Sequence, residues 1–217
     1  MNSWITGWKK IGIRIKKILK RQPTDVQISE WLNCPTCKKI SYLPDLVKNK
    51  YICECSYHFD LPPEERLKDL FSENYEIIDA PKTNPDPLNF EGVGQKYIDK
   101  IKKYRKTTGQ QTALLIASGM INNLSAVIVC FNPKFGGGSF GPAENEHFLK
   151  ATEIAMNKKV DLLLTVVQSG GISVPTNMFG LMGMPKSIIA INEIKKKGIL
   201  TCAVAGRAVT GGVYASA

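Results

Sequence analysis

Four cysteines crowded into one polar stretch, "LNCPTCKKI" followed by "YICECSYHF", restrict how this chain can fold more than any other feature. Cys34 and Cys37 form a C-x2-C pair, whereas Cys53 and Cys55 have one residue between them and are followed by His58. Two pairs of soft ligands separated by about 15 to 20 residues are the spacing of a zinc ribbon, in which two knuckles close a tetrahedron around the metal. Closure by Cys55 and His58 restores the normal second knuckle, and closure by Cys53 and Cys55 requires a distorted turn. Both leave Cys34, Cys37 and Cys55 in the ligand set, with Cys53 or His58 as the fourth. Four reduced thiols packed without metal fit less well, because a segment of about thirty residues has almost no core of its own and needs the metal to fold.

The other two cysteines, Cys130 and Cys202, stand alone in the apolar runs "AVIVCF" and "ILTCAVAG". One metal cluster and two buried thiols suit a reducing compartment better than a disulfide framework. The 217 residues leave room for one medium domain plus an appendage, and 43% hydrophobic with 22% charged residues excludes a disordered chain. No apolar run approaches the length of a membrane span, so a soluble protein is expected. The net charge of +10 is largely N-terminal, with Lys9, Lys10, Arg14, Lys16, Lys17, Lys20 and Arg21 ahead of the first acid, Asp25. Trp4, Trp8, Ile11, Ile15 and Ile18 recur at helical spacing within this stretch. A basic amphipathic segment over residues 1–29 is expected, docked on protein, lying on an anionic membrane surface, or serving as an organellar presequence.

Beyond a ribbon at residues 30–62, "PPEERLKDLFSEN" predicts a helix with a proline start, "YEIIDA" a short strand, and "QKYIDKIKKYRKTTG" a helix stopped by Gly109. Two apolar runs around Asn122 and Asn123 predict a hairpin. A glycine-rich loop "NPKFGGGSFG", a helix, the strand "VDLLLTVV", a methionine-rich helical stretch and the strand "ILTCAVAG" follow. Strands that alternate with helices and end in glycine turns indicate an α/β architecture over residues 63–217, with its strands buried on both faces. Internal repeats are absent.

Conventional catalytic side chains are scarce: there are two histidines, no Ser-His-Asp arrangement and no nucleotide-binding signature, since "FGGGSFG" lacks the later glycine and acid of a dinucleotide loop. What the chain offers is two strand-to-glycine turns, "VVQSGG" and "AVTGG", centred on Gly170–Gly171 and Gly211–Gly212. Glycine permits close backbone approach with free N–H groups, and two such turns brought together would form an oxyanion hole for an enolate. Tight turns between packed strands and helices explain the same glycines without any ligand.

The order of a "SWI" start, a basic stretch, the "CPTC" ribbon, "DPLNF", "YIDKIKKYRKTTG", a glycine-rich loop, a strand ending in "SGG" and a later "TGGVYAS" resembles the β subunit of bacterial and plastid acetyl-CoA carboxylase carboxyltransferase. The likeness spans nearly the whole chain. It implies a zinc ribbon followed by a partial crotonase-like (ClpP/crotonase) domain. It also implies transfer of a carboxyl group from carboxybiotin on a separate carrier protein to acetyl-CoA, forming malonyl-CoA for fatty-acid synthesis. The implied partners are a carboxyltransferase α subunit in a heterotetramer, the biotin carboxyl carrier protein and biotin carboxylase, with a cytoplasmic location or an organellar one. By motif position, Gly170 and Gly171 supply one thioester-oxygen donor and Gly211 and Gly212 the other, and Zn2+ occupies the ribbon.

Three departures stand against that pattern. The family reads "SGGARMQE" where this chain has "SGGISVPTN", so Ile172, Ser173 and neutral residues replace an arginine and an acid, and Pro175 stiffens the helix start. It reads "DPT-x-GG" where this chain has "GRAVTGG", and the second ribbon knuckle is one residue short. A crotonase-like core also calls for further strands and helices after Ala217, so a fragment, a core completed by another chain, or a decayed sequence is expected. An inactive or regulatory relative, or a ribbon protein binding nucleic acid through its basic charge, are the competing functions.

Overall fold

A computed structural model describes residues 30–72, 74–92 and 94–216. The basic N-terminal segment of the sequence lies outside them. The described residues divide after Asp60 into two compact units.

In the first unit, β1 (Trp31–Asn33) and β2 (Ile40–Tyr42) form an antiparallel hairpin, and α1 (Leu43–Lys48) follows with Pro44 in its first turn. The chain returns through a bridge between Ile52 and His58. Both chain reversals that carry cysteines use the left-handed region, at Lys38 (φ 61°) and Ser56 (φ 64°). In each, an N–H reaches back to the carbonyl of its first cysteine: Lys38 to Cys34 at 2.9 Å, and Ser56 to Cys53 at 2.8 Å.

The second unit begins with α2 (Pro63–Phe71) and the short strand β3 (Tyr75–Ile77). A two-stranded ribbon, β4 (Glu91–Gly92) with β5 (Gln95–Lys96), leads into α3 (Tyr97–Thr108). Gly109 closes α3 at φ 71°, a conformation that needs no Cβ penalty only in glycine. The hairpin expected around the two asparagines is β6 (Leu114–Ile121) and β7 (Leu124–Phe131), with Ile121 opposite Leu124 and Asn122 at φ 52°. Then come α4 (Pro142–Lys158), β8 (Leu162–Ser169), the short α5 (Met178–Leu181), α6 (Gly183–Lys196), β9 (Leu200–Val209) and α7 (Gly211–Ser216).

The sheet order is β3-β6-β7-β8-β9, antiparallel up to β7 and parallel from β7 to β9. Parallel neighbours require crossovers, and α4 and α6 supply them. The period-two alternation of a strand separates two apolar layers. Val127, Val129 and Phe131 of β7, with Leu163 and Val167 of β8, pack against Phe148, Ala151 and Ala155 of α4 and Ile191 and Ile194 of α6. The intervening Ala126, Ile128, Cys130 and Val166 face Leu67 and Phe71 of α2. The latter contact is close: a Cβ on Gly119 would lie 2.8 Å from the Asn74 carbonyl and 2.9 Å from the Phe71 ring.

β9 departs from the expectation of strands buried on both faces. It is the edge strand, and Leu200 and Val204 are 63% and 46% exposed. Cys202 is exposed as well, whereas Cys130 is buried. The physical reason is position: α2 covers β6 and β7, and no described element lies beyond β9 in the sheet. Among the described residues no helix is long and apolar enough to cross a membrane.

Candidate functional site

The first candidate centre lies in the cysteine unit. Sulfurs of Cys34, Cys37, Cys53 and Cys55 all lie within 4.8 Å of one another, with Cys34 and Cys55 at 3.6 Å and Cys37 and Cys53 at 3.7 Å. Four thiolates at the ~2.3 Å Zn–S distance in a tetrahedron are separated by about 3.8 Å, so the donor set fits that ion. His58 is exposed and stands outside the group; its backbone pairs with Ile52. Burial pushes the Cys34 thiol up, but N–H groups of Cys37 and Thr36 and the thiols of Cys37 and Cys55 outweigh it and bring it to about 6. The Tyr57 N–H pulls Cys55 down, while burial and sharing with the sulfurs of Cys37, Cys34 and Cys53 leave it at about 12. Four sulfurs packed this closely form a donor set suited to a soft cation.

The second centre lies at the carboxyl ends of β7, β8 and β9, where ligands of parallel α/β sheets collect. The two glycine turns meet there. Ser169 pairs with Val209, and the Thr210 N–H donates to the Ser169 carbonyl at 3.1 Å. Gly171 adopts φ 108°, and a Cβ added to it would lie 3.5 Å from both the carbonyl oxygen and Oγ1 of Thr210. A Cβ on Gly212 would run into Sδ of Met184 and lie 3.3 Å from Cγ1 of Ile172.

Their N–H groups are not equally available. The Gly170 N–H donates to the Gly137 carbonyl at 2.9 Å, and the Gly171 N–H to Ser169 Oγ at 3.1 Å. The first turn therefore differs from the expectation of free glycine donors: a hydroxyl and a neighbouring loop take both. Its next residue is different, since Ile172 forms a parallel bridge with Phe140 in which Gly171 and Ser173 make the hydrogen bonds. The Ile172 N–H points away from Phe140 and has no partner among the described residues. In the second turn, Gly211 and Gly212 open α7, and first-turn N–H groups have no acceptor within a helix.

The glycine-rich loop is a support for this turn. Gly136, Gly137 and Gly138 have φ of 58°, 72° and 67°, and their run folds as a 3-10 turn with Gly137 and Gly138 N–H groups bonded internally. A Cβ on Gly138 would collide with the Gln168 carbonyl. Three adjacent glycines were the available signal for such an approach. Beneath the loop, Glu144 at the start of α4 accepts from Ala113 N–H and Gly141 N–H, each at 3.0 Å. Burial pushes its carboxyl pKa up against those hydrogen bonds. Where the sequence has Ser173 in place of a charged residue, its Oγ bonds the Tyr97 hydroxyl at 2.8 Å, a contact without any local sequence signal.

Residues 86–217 match the carboxyl transferase domain family. The acetyl-coenzyme A carboxylase carboxyl transferase subunit beta of Agrobacterium fabrum is 33% identical over 216 residues, covering 99% of this chain and 71% of that protein. Its counterpart in a Sulfurihydrogenibium species is 33% identical over 212 residues, covering 97% and 75%. Among solved structures, transcarboxylase 12S with methylmalonyl-coenzyme A and methylmalonic acid bound aligns at TM-score 0.55 and 18% identity, over 72% of this chain and 28% of that one. A Pseudomonas malonate decarboxylase hetero-tetramer in complex with malonate aligns at TM-score 0.52 and 19% identity, over 72% and 55%. The chain thus spans about seven-tenths of its curated relatives and little more than half, or less, of these solved chains. At such identities the solved structures establish a shared crotonase-like fold.

Proposed function

The chain belongs to the carboxyl transferase domain family, and from that premise we propose that it is the β subunit of an acetyl-CoA carboxylase carboxyltransferase. In this reading it transfers a carboxyl group from carboxybiotin, carried on a separate biotin carboxyl carrier protein, to acetyl-CoA, forming malonyl-CoA. It works with a carboxyltransferase α subunit, and biotin carboxylase recharges the carrier. The observation that carries the proposal is the meeting of the two glycine turns beyond the parallel strands, with N–H groups at Ile172 and at Gly211–Gly212 that have no partner among the described residues.

The chemistry suits such a site. In the transfer, the N–C bond of carboxybiotin would break, and the ureido nitrogen that carried the carboxyl group would take up the proton lost by the acetyl-CoA methyl. The methyl carbon would bond to the released carboxyl carbon, so that negative charge gathers on the thioester oxygen of the enolate formed on the way. Fixed N–H donors aimed at that oxygen stabilise the charge with no reorganisation, and each contributes roughly 10²–10³ in turnover. Proximity supplies the rest, which accounts for a site so poor in acids and bases. The donors assigned here are the Ile172 N–H from the first turn and the Gly212 N–H from the second, with Gly170 and Gly171 shaping the first turn. Zn2+, held by Cys34, Cys37, Cys53 and Cys55, has a structural role.

Nucleic-acid binding by the ribbon is disfavoured by charge. Residues 30–60 carry Lys38, Lys39, Lys48 and Lys50 against Glu30, Asp45, Glu54 and Asp60, and four thiolates around a dication add two further negative charges. Phosphate recognition needs the opposite balance.

The test is malonyl-CoA formation by this chain combined with an α subunit, a carboxylated biotin carrier and acetyl-CoA. Gly171→Val forces a β-branched residue to φ 108°, and Gly212→Val displaces Met184. Both should lower turnover by about 10²–10³ with zinc content unchanged. No product from the wild type, or wild-type rates in both variants, would remove the reading.

A further inference from the structure

Ser169, the last residue of β8, is 1% exposed and holds three separate segments at once. Its hydroxyl donates to the Gly138 carbonyl at 2.6 Å and accepts the Gly171 N–H at 3.1 Å, while its own carbonyl accepts the Thr210 N–H at 3.1 Å. The glycine loop, the first turn and the second turn therefore converge on one side chain and its peptide. Other hydrogen bonds continue the seam: Gly170 N–H to Gly137 O at 2.9 Å, Phe140 N–H to Gly171 O at 2.9 Å, and Ser173 N–H to Phe140 O at 2.8 Å. None of the main-chain bonds requires serine. The hydroxyl is different, because only a side chain that both donates and accepts can join a carbonyl of the loop to an N–H of the turn.

We infer that Ser169 is a positioning residue for carboxyl transfer: by taking up the Gly171 N–H and bracing it on Gly138, it makes Ile172 the donor of the first turn and sets that donor against the one at Gly212. The inference rests on the carboxyltransferase reading. Without the hydroxyl, two buried main-chain groups lose a partner, and the Gly171 N–H becomes a competing donor one residue away from the intended one. Misplacement of a donor by about 1 Å is enough to cost on the order of 10²-fold in rate.

The experiment compares Ser169→Ala and Ser169→Cys with the wild type, in the full chain assembled with its carboxyltransferase partner. Two quantities are read: steady-state carboxyl transfer, and protection of the Ile172 and Gly212 amides from hydrogen exchange when acetyl-CoA is added. Ser169→Ala should lower kcat about ten- to hundredfold with KM for acetyl-CoA within about threefold, and should weaken the protection of both amides. Ser169→Cys, with a poorer donor of similar size, should fall between. Ser125→Ala serves as control, since it removes a comparable 2.6 Å hydroxyl bond, to Asp161, at the opposite ends of β7 and β8. It should keep the wild-type kcat. Wild-type kcat in a folded Ser169→Ala overturns the inference, as does failure of both Ser169 variants to fold, which makes the residue a folding determinant. A wild-type chain without carboxyl transfer overturns the functional reading instead; the amide protection then judges Ser169 alone, and unchanged protection in Ser169→Ala overturns the inference.

Discussion

The two units of this chain solve the same problem with different means. In residues 30–60 the buried apolar side chains are Leu46 and Tyr51, beside the sulfurs of Cys34 and Cys53. The unit from Leu61 onward buries two apolar layers on opposite faces of a five-stranded sheet. A unit with so little core is expected to draw its stability from ligand bonds to a metal held by the four cysteines, whereas the sheet draws it from area removed from water. The contrast predicts that dependence on a metal and dependence on packing reside in different stretches of sequence, so that each should be open to disturbance alone.

Removing the metal should have the largest effect. Chelation should abolish the structure of residues 30–60, against an apparent stabilisation of about 10–16 kcal/mol for structural zinc. Hydrogen exchange there should become fast while the sheet of the second unit stays protected. A ribbon that remains protected after chelation would break the comparison. Zinc analysis sharpens it: Cys53→Ser should lose the ion and His58→Ala should retain it, and the reverse result would restore the histidine knuckle.

Next is the core. Leu163 is 1% exposed between β8 and the α4–α6 layer, and Leu163→Ala should cost about 2–5 kcal/mol. Denaturant unfolding should shift for the second unit alone, with zinc content intact. Loss of zinc in this variant would show the units to be interdependent.

A smaller effect comes from a buried polar contact. His147 Nε2 donates to the Ile78 carbonyl at 2.8 Å, and its Nδ1 meets the Thr112 hydroxyl at 2.9 Å, tying α4 to β3 and the start of β6. Burial pushes the imidazole pKa below its ordinary 6.5. The unfolded chain therefore binds a proton that the folded chain does not. Stability should be full above that value and should fall as pH drops from 6.5 toward the folded pKa, by up to ~1.4 kcal/mol per pH unit. His147→Gln should flatten this slope in denaturant midpoints measured across the window. An unchanged slope would assign it to other groups.

The smallest effect belongs to the ribbon surface. Lys39 pairs with Glu54 beside the cysteines, but their side chains are 54% and 77% exposed. Exposed pairs contribute little, so Lys39→Ala should leave zinc affinity and unfolding midpoints unchanged within error. A clear loss of zinc would mean that the ion is held partly by surface charge.

Much of this architecture was legible in the sequence. Pro63 with Glu64 and Glu65 started α2, Gly109 stopped α3, and the pair Asn122–Asn123 turned the hairpin, because each of these signals acts within one turn of backbone. The α1 helix inside the ribbon was not legible, because six residues, with apolar side chains at Leu43, Leu46 and Val47, are too short for a helical period to stand out. Nor was the exposure of Cys202 and Val204, since an apolar strand reads the same at the centre of a sheet and at its edge. The basic helix expected at the N-terminus lies outside the described residues.

By itself, then, the sequence determined the identity and spacing of the cysteines, the alternation of strands and helices, and the position of two glycine turns after apolar strands. All of these depend on local chemistry: ligand type, residue period and permitted φ. Only the tertiary structure decided that Cys53 joins the sulfur cluster in place of His58, and that the two turns meet across β8 and β9. It alone decided which N–H groups are engaged among the described residues, because Gly170 and Gly171 are taken by Gly137 and Ser169. A donor's availability depends on what the fold brings within about 3 Å of it, and no spacing in the chain encodes that distance.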